Sequence, residues 1–152
     1  MGVTKVHNEY IKRVPEWSRI ADVLSGRDAI IAGGQEYLPM LESHRRDYLK
    51  YRAYQSRGIF YNATALSHQS YLSAIFRRDP TLRLSGRTEH MRENITGVGD
   101  NFYTFAKTAT GEVLGKGRYG LMLDRPRDGG APYVVGYCAG QVRNWRLRGV
   151  DA

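Results

Sequence analysis

Length, composition and charge bound the class of protein. The chain has 152 residues, of which 41% are hydrophobic and 25% charged, and this composition excludes wholesale disorder and predicts a single domain over 1–152. Eighteen arginines and five lysines against 15 acidic residues give a formal net charge of +8, which favours anionic partners or charged contacts between subunits. The lone Cys138 excludes an internal disulfide, and no apolar run is long enough to span a membrane. The N-terminus lacks the apolar core of a signal peptide, so we expect an intracellular protein without membrane contact.

Two helices are predicted near the N-terminus. Pro15 suits the first turn of a helix, and apolar residues at helical spacing follow it as far as Leu24. Gly26 is a plausible C-cap for this helix. A second, short helix is predicted over 27–32, where it runs into two glycines.

The longest periodic stretch lies between Glu42 and Phe76. Because Gly58 interrupts it, the stretch predicts two helices, roughly 43–57 and 63–77. Asn62 is placed to cap the second helix. One face of that helix carries residues spaced by four and three positions, which predicts an amphipathic stripe of Tyr61, Ala65, His68, Leu72 and Ile75. We interpret Tyr61 as a core or interface anchor.

A further helix is predicted after a short, punctuated region that includes a brief helix near 88–94. Asp100 or Asn101 is expected to cap it, and Gly115 and Gly117 are expected to end it. Its predicted buried stripe comprises Phe102, Phe105, Ala106, Ala109 and Val113.

The last third of the chain predicts a small sheet. Two apolar runs flank a glycine turn at 128–130, which favours an antiparallel hairpin of 118–124 against 132–138. The run Tyr119–Leu123 is expected to be buried, and Val142–Leu147 is a candidate third strand. Helices over the first two-thirds followed by an antiparallel sheet predict the α+β class.

No catalytic, cofactor or metal motif stands in the context that its chemistry requires. Gly115–Gly120 matches the glycine pattern of dinucleotide-binding loops, but a helix precedes it and a strand follows, so we interpret it as a helix terminator. The four histidines lie in separate segments without metal-ligand spacing. We therefore expect no enzyme activity and no cofactor, although a site assembled by the fold near Asp124 and His68 stays open as a rival hypothesis.

Paired and alternating arginines are the best candidates for binding anions. Arg77 and Arg78 follow the predicted helix 63–77, and Arg146 and Arg148 lie on one face of the candidate last strand. Together with Tyr61, these residues are the candidate interface or phosphate contacts. One hypothesis is thus a small nucleic-acid-binding protein whose arginines contact phosphates. The rival interpretation of the same arginines is a solvated face or salt bridges between subunits.

Several stretches together resemble a known family. They agree with it in order and spacing across nearly the whole chain: Val14–Trp17, Asp22–Gly26, Glu36–Pro39, Phe60–Thr64, Ile75–Pro80, Phe105–Ala106, Gly117–Asp124, Pro132–Val135 and Asn144–Arg146. The combination is similar to the portal, or head–tail connector, proteins of tailed phages and prophages, and in particular to a portal-like family catalogued as a domain of unknown function.

The resemblance implies a structural virion protein rather than an enzyme. Portal proteins form a ring, typically a dodecamer, at one capsid vertex, and double-stranded DNA passes through it during packaging and ejection. The expected partners are further copies of the chain, the capsid vertex, tail or adaptor proteins, the terminase motor and DNA. The expected location is the virion, with the host cytoplasm as the site of assembly. Members are much longer than 152 residues, so we expect this chain to match the N-terminal wing portion, without the stem and clip.

Overall fold

The first helix begins earlier than predicted. The computed structural model describes residues 5–145, and α1 runs over Asn8–Ser25. His7 caps it, because its Nδ1 accepts a hydrogen bond from the backbone N–H of Glu9 at 3.1 Å. Pro15 therefore lies inside the helix, and the predicted start at Pro15 is wrong. The upstream cap and the helical run before Pro15 outweigh the single hydrogen bond that a proline removes.

The turn after α1 and the short helix after it are as predicted. Gly26 adopts a φ of 98° and donates its N–H to the carbonyls of Asp22 and Val23, which ends α1. The second helix, α2, occupies Arg27–Ala32. A left-handed φ of this kind favours glycine, so the boundary is readable from the sequence.

The helix predicted over 43–57 is two helices. These are α3 (Glu42–Arg45) and α4 (Tyr48–Arg57). Between them the Asp47 carboxylate accepts the N–H of Leu49 at 3.1 Å and so begins α4 as an N-cap. The single-helix prediction is wrong because Asp47 serves as a cap and not as one more charged position on a helical surface.

The two long helices in the middle of the chain pack on each other. α5 covers Ala63–Ile75, and the Asn62 side chain caps it by accepting the N–H of Ala65 at 2.9 Å. α6 covers Phe102–Lys116 and is capped by Asn101, as expected. A short 3₁₀ turn at Glu89–Arg92 takes the place of the predicted brief helix. The caps thus fix both helices at the predicted residues.

No residue of α6 is fully buried, and the face that it turns toward its neighbours differs in part from the predicted stripe. Within that stripe Phe102, Phe105, Ala106 and Ala109 are half-buried. α6 meets α1 and α5 along Gly111 and Gly115, where an added Cβ would lie 3.6 Å from Leu72 and 3.3 Å from Leu24. Val113 stands two residues from each glycine and so points to the opposite side of the helix. Its exposed fraction is 47%, so the prediction that Val113 is buried is wrong.

The sheet is a two-stranded antiparallel hairpin after the helices, which confirms the α+β class. β1 (Tyr119–Asp124) pairs with β2 (Tyr133–Cys138). Residues 142–145 form no strand, so the candidate third strand is absent there, and its remaining positions lie outside the described residues. In the described chain Tyr119 and Gly120 are half-buried and residues 121–124 are exposed, so β1 is not buried as expected.

The core is small for a chain of this length. The buried apolar side chains within 5–145 are those of Trp17, Ile30, Tyr51, Leu72, Met91, Ile95 and Ala139, and none of the large ones is completely enclosed. Tyr51 also donates its hydroxyl to the carbonyl of Leu38 at 2.8 Å. A core this thin leaves much apolar surface in contact with solvent.

Candidate functional site

The residues predicted as contacts do not come together. Tyr61 precedes α5, whereas Arg77 and Arg78 follow it, and a helix of 13 residues is about 20 Å long. All three side chains are exposed, that of Tyr61 by 81%, so Tyr61 is no core residue in the described chain. Arg146 and Arg148 lie outside the described residues. The structure therefore presents two separate candidate surfaces at the two ends of α5.

The first surface is the arginine segment, which we define as residues 76–88. It contains four exposed arginines and one acidic residue, and none of the four forms an ion pair with a side chain in the described part of the chain: Arg77, Arg78, Arg83 and Arg87. Elsewhere in the described chain four arginines form ion pairs, Arg13, Arg27, Arg45 and Arg92, and eight do not. A cluster of free guanidinium groups attracts phosphate or carboxylate oxygens.

The body of the protein anchors this segment. Leu82 and Leu84 are half-buried and alternate with exposed neighbours. At its start, Tyr103 donates its hydroxyl to the carbonyl of Phe76 at 3.4 Å, and the two rings meet edge to face with centroids 5.5 Å apart. The free arginines thus project from a backbone that α6 helps to hold, which reduces the entropy lost on binding.

The second surface is the apolar connector before α5, which we define as residues 58–62 and which carries the exposed Ile59 and Tyr61. Large apolar side chains are exposed on several elements: Ile11, Leu41, Tyr48, Leu49, Ile59, Tyr61, Leu66, Tyr71, Ile75, Val98, Val113, Leu114, Leu121, Met122 and Leu123. Ile59 is exposed by 96%, and it lies in the connector before α5 together with Tyr61. Single exposed apolar residues are ordinary, but neighbouring ones indicate a contact surface.

A cavity of about 300 Å³ lies beside this connector. Its apolar wall includes Val23, Ile30 and Phe60, and Arg19 lies at its border. Tyr37, also in the lining, donates its hydroxyl to Asp22 at 2.6 Å. This hydrogen bond, with burial and the negative charge of Asp22, raises the pKa of Tyr37 to about 12. The cavity can hold an apolar group. The Tyr37 hydroxyl in its lining is already hydrogen-bonded to Asp22.

The two residues of the rival catalytic hypothesis, His68 and Asp124, have structural partners. The His68 Nε2 atom lies 2.8 Å from the Gly111 carbonyl, which joins α5 to α6. Asp124 accepts the N–H of Arg125 at 2.7 Å and the hydroxyl of Tyr133 at 3.3 Å. Burial raises the pKa of the Cys138 thiol, which disfavours the nucleophilic thiolate. Within 5–145 the structure offers no group of three or more His, Cys, Asp or Glu residues able to hold a metal ion.

One feature that the sequence analysis missed is a stack of side chains near Arg118. The guanidinium carbon of Arg118 lies 5.1 Å from the centre of the Trp17 ring and 4.2 Å from that of Trp145. His7 stacks on Trp145 with ring centres 4.1 Å apart. Trp17 also donates its indole N–H to the Lys116 carbonyl at 3.0 Å. The stack joins α1, the start of β1 and Trp145. These residues are too far apart in sequence for a local pattern to indicate their contact.

No protein-family model matches the chain, and a search of curated proteins finds no relative. Among the described helices, none combines the length and apolar character needed to cross a bilayer.

Proposed function

We propose that this chain is a self-assembling structural subunit, of the kind that forms a portal ring at the capsid vertex of a tailed phage. The observation that carries the proposal is the set of large apolar side chains that are exposed in the described chain, among them Ile59, Tyr61, Leu121 and Leu123. Neighbouring apolar side chains in contact with solvent are typical of a surface that another protein covers.

The sequence supports the portal form of this proposal. The stretches quoted above, from Val14–Trp17 to Asn144–Arg146, follow the order found in portal proteins. In such a ring each copy contacts two neighbours, and a specific contact buries about 800 Å² per partner.

Particle mass tests the proposal directly. We expect mass photometry of the 152-residue chain over a range of concentrations to show a closed species of uniform mass, a multiple of 17.3 kDa. Electron microscopy should show the same species as a ring with a central opening. A monomer at every concentration would contradict the proposal.

Tyr61→Asp tests whether the apolar surface beside α5 takes part in assembly. Because Tyr61 is 81% exposed, we expect the substitution to change the free energy of unfolding by less than about 0.5 kcal/mol and to reduce the assembled fraction. Ser73→Asp is the matched control, since it adds the same charge at an exposed position of α5 without removing apolar area. Equal effects of the two variants on assembly would refute the role of Tyr61.

A second candidate function is the binding of nucleic-acid phosphates by the arginine segment. The observation that favours it is the cluster of four exposed arginines without an ion-pair partner in the described part of the chain. Such contacts are independent of base sequence and weaken as salt rises, because binding releases counterions from the DNA.

Salt-dependent binding to a short DNA duplex tests this second function. The double variant Arg77→Gln, Arg78→Gln is expected to reduce the slope of log K against log salt by about 2. Arg13→Gln is the control, because Arg13 is paired with Glu16. A slope that neither variant changes would assign the cluster to a solvated face.

A further inference from the structure

The cavity beside the connector has walls from three separate parts of the chain. Val23 comes from α1, Ile30 from α2 and Phe60 from the connector. Ile30 is buried, and Val23 and Phe60 are half-buried. The volume of about 300 Å³ lies at the lower end of the range for small-molecule sites. Because a cavity of about 150 Å³ holds benzene, this one can hold an apolar group about twice that size.

Hydrogen bonds between the walls hold the cavity in shape. The Arg27 side chain donates its Nε–H to the Gly58 carbonyl at 3.0 Å, which joins α2 to the connector. The Asn62 amide donates to the Val23 carbonyl and so joins the connector to α1. Walls that are fixed before a ligand arrives reduce the entropy that is lost on binding.

Ile59 supplies an apolar rim to the cavity. Its side chain borders the cavity and is 96% exposed, although the neighbouring Gly58 and Phe60 are half-buried. A ligand that fills the cavity as far as its mouth covers part of this side chain. The removal of that apolar area from water favours a ligand whose outer part is also apolar.

Arg19 is the polar group at the mouth that is free to bind a ligand. Its guanidinium forms no ion pair within residues 5–145. The other polar side chains of the lining already have partners, since Arg27 donates to Gly58 and Tyr37 donates to Asp22. The hydrogen bond to Asp22 raises the pKa of Tyr37, and the charge of Arg19 opposes that rise. The Arg19 guanidinium therefore lies near the Tyr37 hydroxyl in the lining.

Acidic side chains near the cavity limit the charge of a ligand. Asp22 accepts the Tyr37 hydroxyl at 2.6 Å, and Glu36 is exposed beside Tyr37. Asp28 Oδ1 lies 3.7 Å from Arg27 Nη1. These carboxylates repel a dianion such as a phosphate monoester, whereas a single carboxylate matches the one unpaired guanidinium at the mouth.

We propose that this cavity binds a small apolar carboxylic acid. An apolar group of about ten carbon atoms fills the space between Val23, Ile30 and Phe60. The carboxylate of the same ligand accepts hydrogen bonds from the Arg19 guanidinium. An acid of this size is expected to bind with a Kd of about 0.1–1 mM. The inference goes beyond the proposed function and does not rest on it, because each copy of the chain contains the whole site.

Methyl NMR with two matched probes tests the site. Phenylbutyrate and phenylbutanol share a ring and a chain and differ in the charge of the head group. We expect both probes to shift the methyl signals of Val23, Ile30 and Ile59, and we expect phenylbutyrate to bind several-fold more tightly. The proposal is overturned if neither probe shifts these signals well above the expected Kd, or if the shifts map only to other surfaces.

Two substitutions at exposed positions separate the parts of the site. Arg19→Gln should weaken phenylbutyrate binding several-fold and leave phenylbutanol binding unchanged, and its control is Arg127→Gln, in the turn between the strands. Ile59→Ser should weaken the binding of both probes, and its control is Val98→Ser, at a position that is 86% exposed and outside this cavity. Equal affinities for the two probes that Arg19→Gln leaves unchanged would refute the carboxylate assignment.

Discussion

Gly136→Ala offers a sharp test of how the hairpin is packed. Gly136 lies in β2 under the hydroxyl end of the Tyr119 ring, and an added Cβ would meet the hydroxyl oxygen first and lie 2.6 Å from Cζ and 2.9 Å from Cε1. Ordinary contacts between carbon atoms are about 3.5–4.0 Å, so the ring must retreat by about 1 Å. On α6 the ring of Phe105 meets Tyr119 edge to face, with centroids 6.4 Å apart. The substitution therefore disturbs the contact that joins the sheet to α6.

The expected cost is that of overpacking, about 1–3 kcal/mol in the free energy of unfolding. For a chain of this length, 1 kcal/mol lowers Tm by about 2–4 °C. Urea unfolding followed by circular dichroism, at a concentration where wild type and variant have the same particle mass, measures the loss. Gly140→Ala is the control, because a Cβ there meets no atom within 4 Å and Gly140 has no positive φ.

A double-mutant cycle identifies the cause. If the clash with the Tyr119 ring produces the loss, Tyr119→Ala removes the clash, and Gly136→Ala should cost at least about 1 kcal/mol less in that background than in the wild type. Additive effects of the two substitutions would refute the packing argument. So would a Gly136→Ala protein as stable as the Gly140→Ala control.

Three further predictions follow from single contacts. Asn101→Ala removes the side chain that accepts the N–H of Thr104 at 2.9 Å and should cost about 1 kcal/mol in urea unfolding, whereas Asn101→Asp should cost much less. Gly117 has φ 77°, so Gly117→Ala should lower stability by about 1–2 kcal/mol in the same assay and a neutral result would contradict the left-handed cap. Because the pKa of Tyr37 is raised from 10.0 to about 12, the neutral phenol stabilises the fold below pH 10, and that stability is lost as the pH rises from 10 to 12. The pKa of Tyr51, Tyr119 and Tyr133 is also raised, so ultraviolet titration should show several late-ionising tyrosines. The component that ionises at about pH 12 should be missing in Tyr37→Phe and should ionise earlier in Asp22→Asn.

Helix and strand boundaries were predictable where the responsible side chain lies within a few residues of the boundary. Asn62 and Asn101 cap helices that begin next to them, and Gly26 and Gly117 end helices because each has a positive φ. Asp47 shows the limit of such reasoning. The same carboxylate can lie on a helical surface or cap a new helix, and only the chain path around it decides between the two.

Burial was less predictable, because it depends on what faces each side of an element. The apolar run of β1 is typical of a buried strand, yet in the described chain its Tyr119 end meets α6 while Leu121 and Leu123 are exposed. The prediction that Val113 is buried was wrong for the same reason, because α6 turns the face that carries Gly111 and Gly115 toward its neighbours. The sequence predicts which residues can be buried, and tertiary packing selects among them.

The candidate surfaces were predictable in composition but not in position. The arginine pair Arg77–Arg78 indicated an anion-binding surface, and the structure adds Arg83 and Arg87 to it. Tyr61 was expected to anchor a core or an interface, and its exposure in the described chain leaves the interface as the open prediction. No pattern in one chain shows which exposed segments face a neighbour, because that depends on the partner's surface as much as on the chain's own.

The stack at Arg118 has a consequence for spectroscopy. The chain has two tryptophans, and both indole rings lie against the same guanidinium group. All tryptophan emission therefore originates at the junction where α1, the start of β1 and Trp145 meet. Fluorescence should detect water entering this junction, whereas circular dichroism reports the helices of the whole chain. The two signals report on different parts of the molecule. A difference between their transition midpoints therefore measures how far the junction opens before the helices unfold.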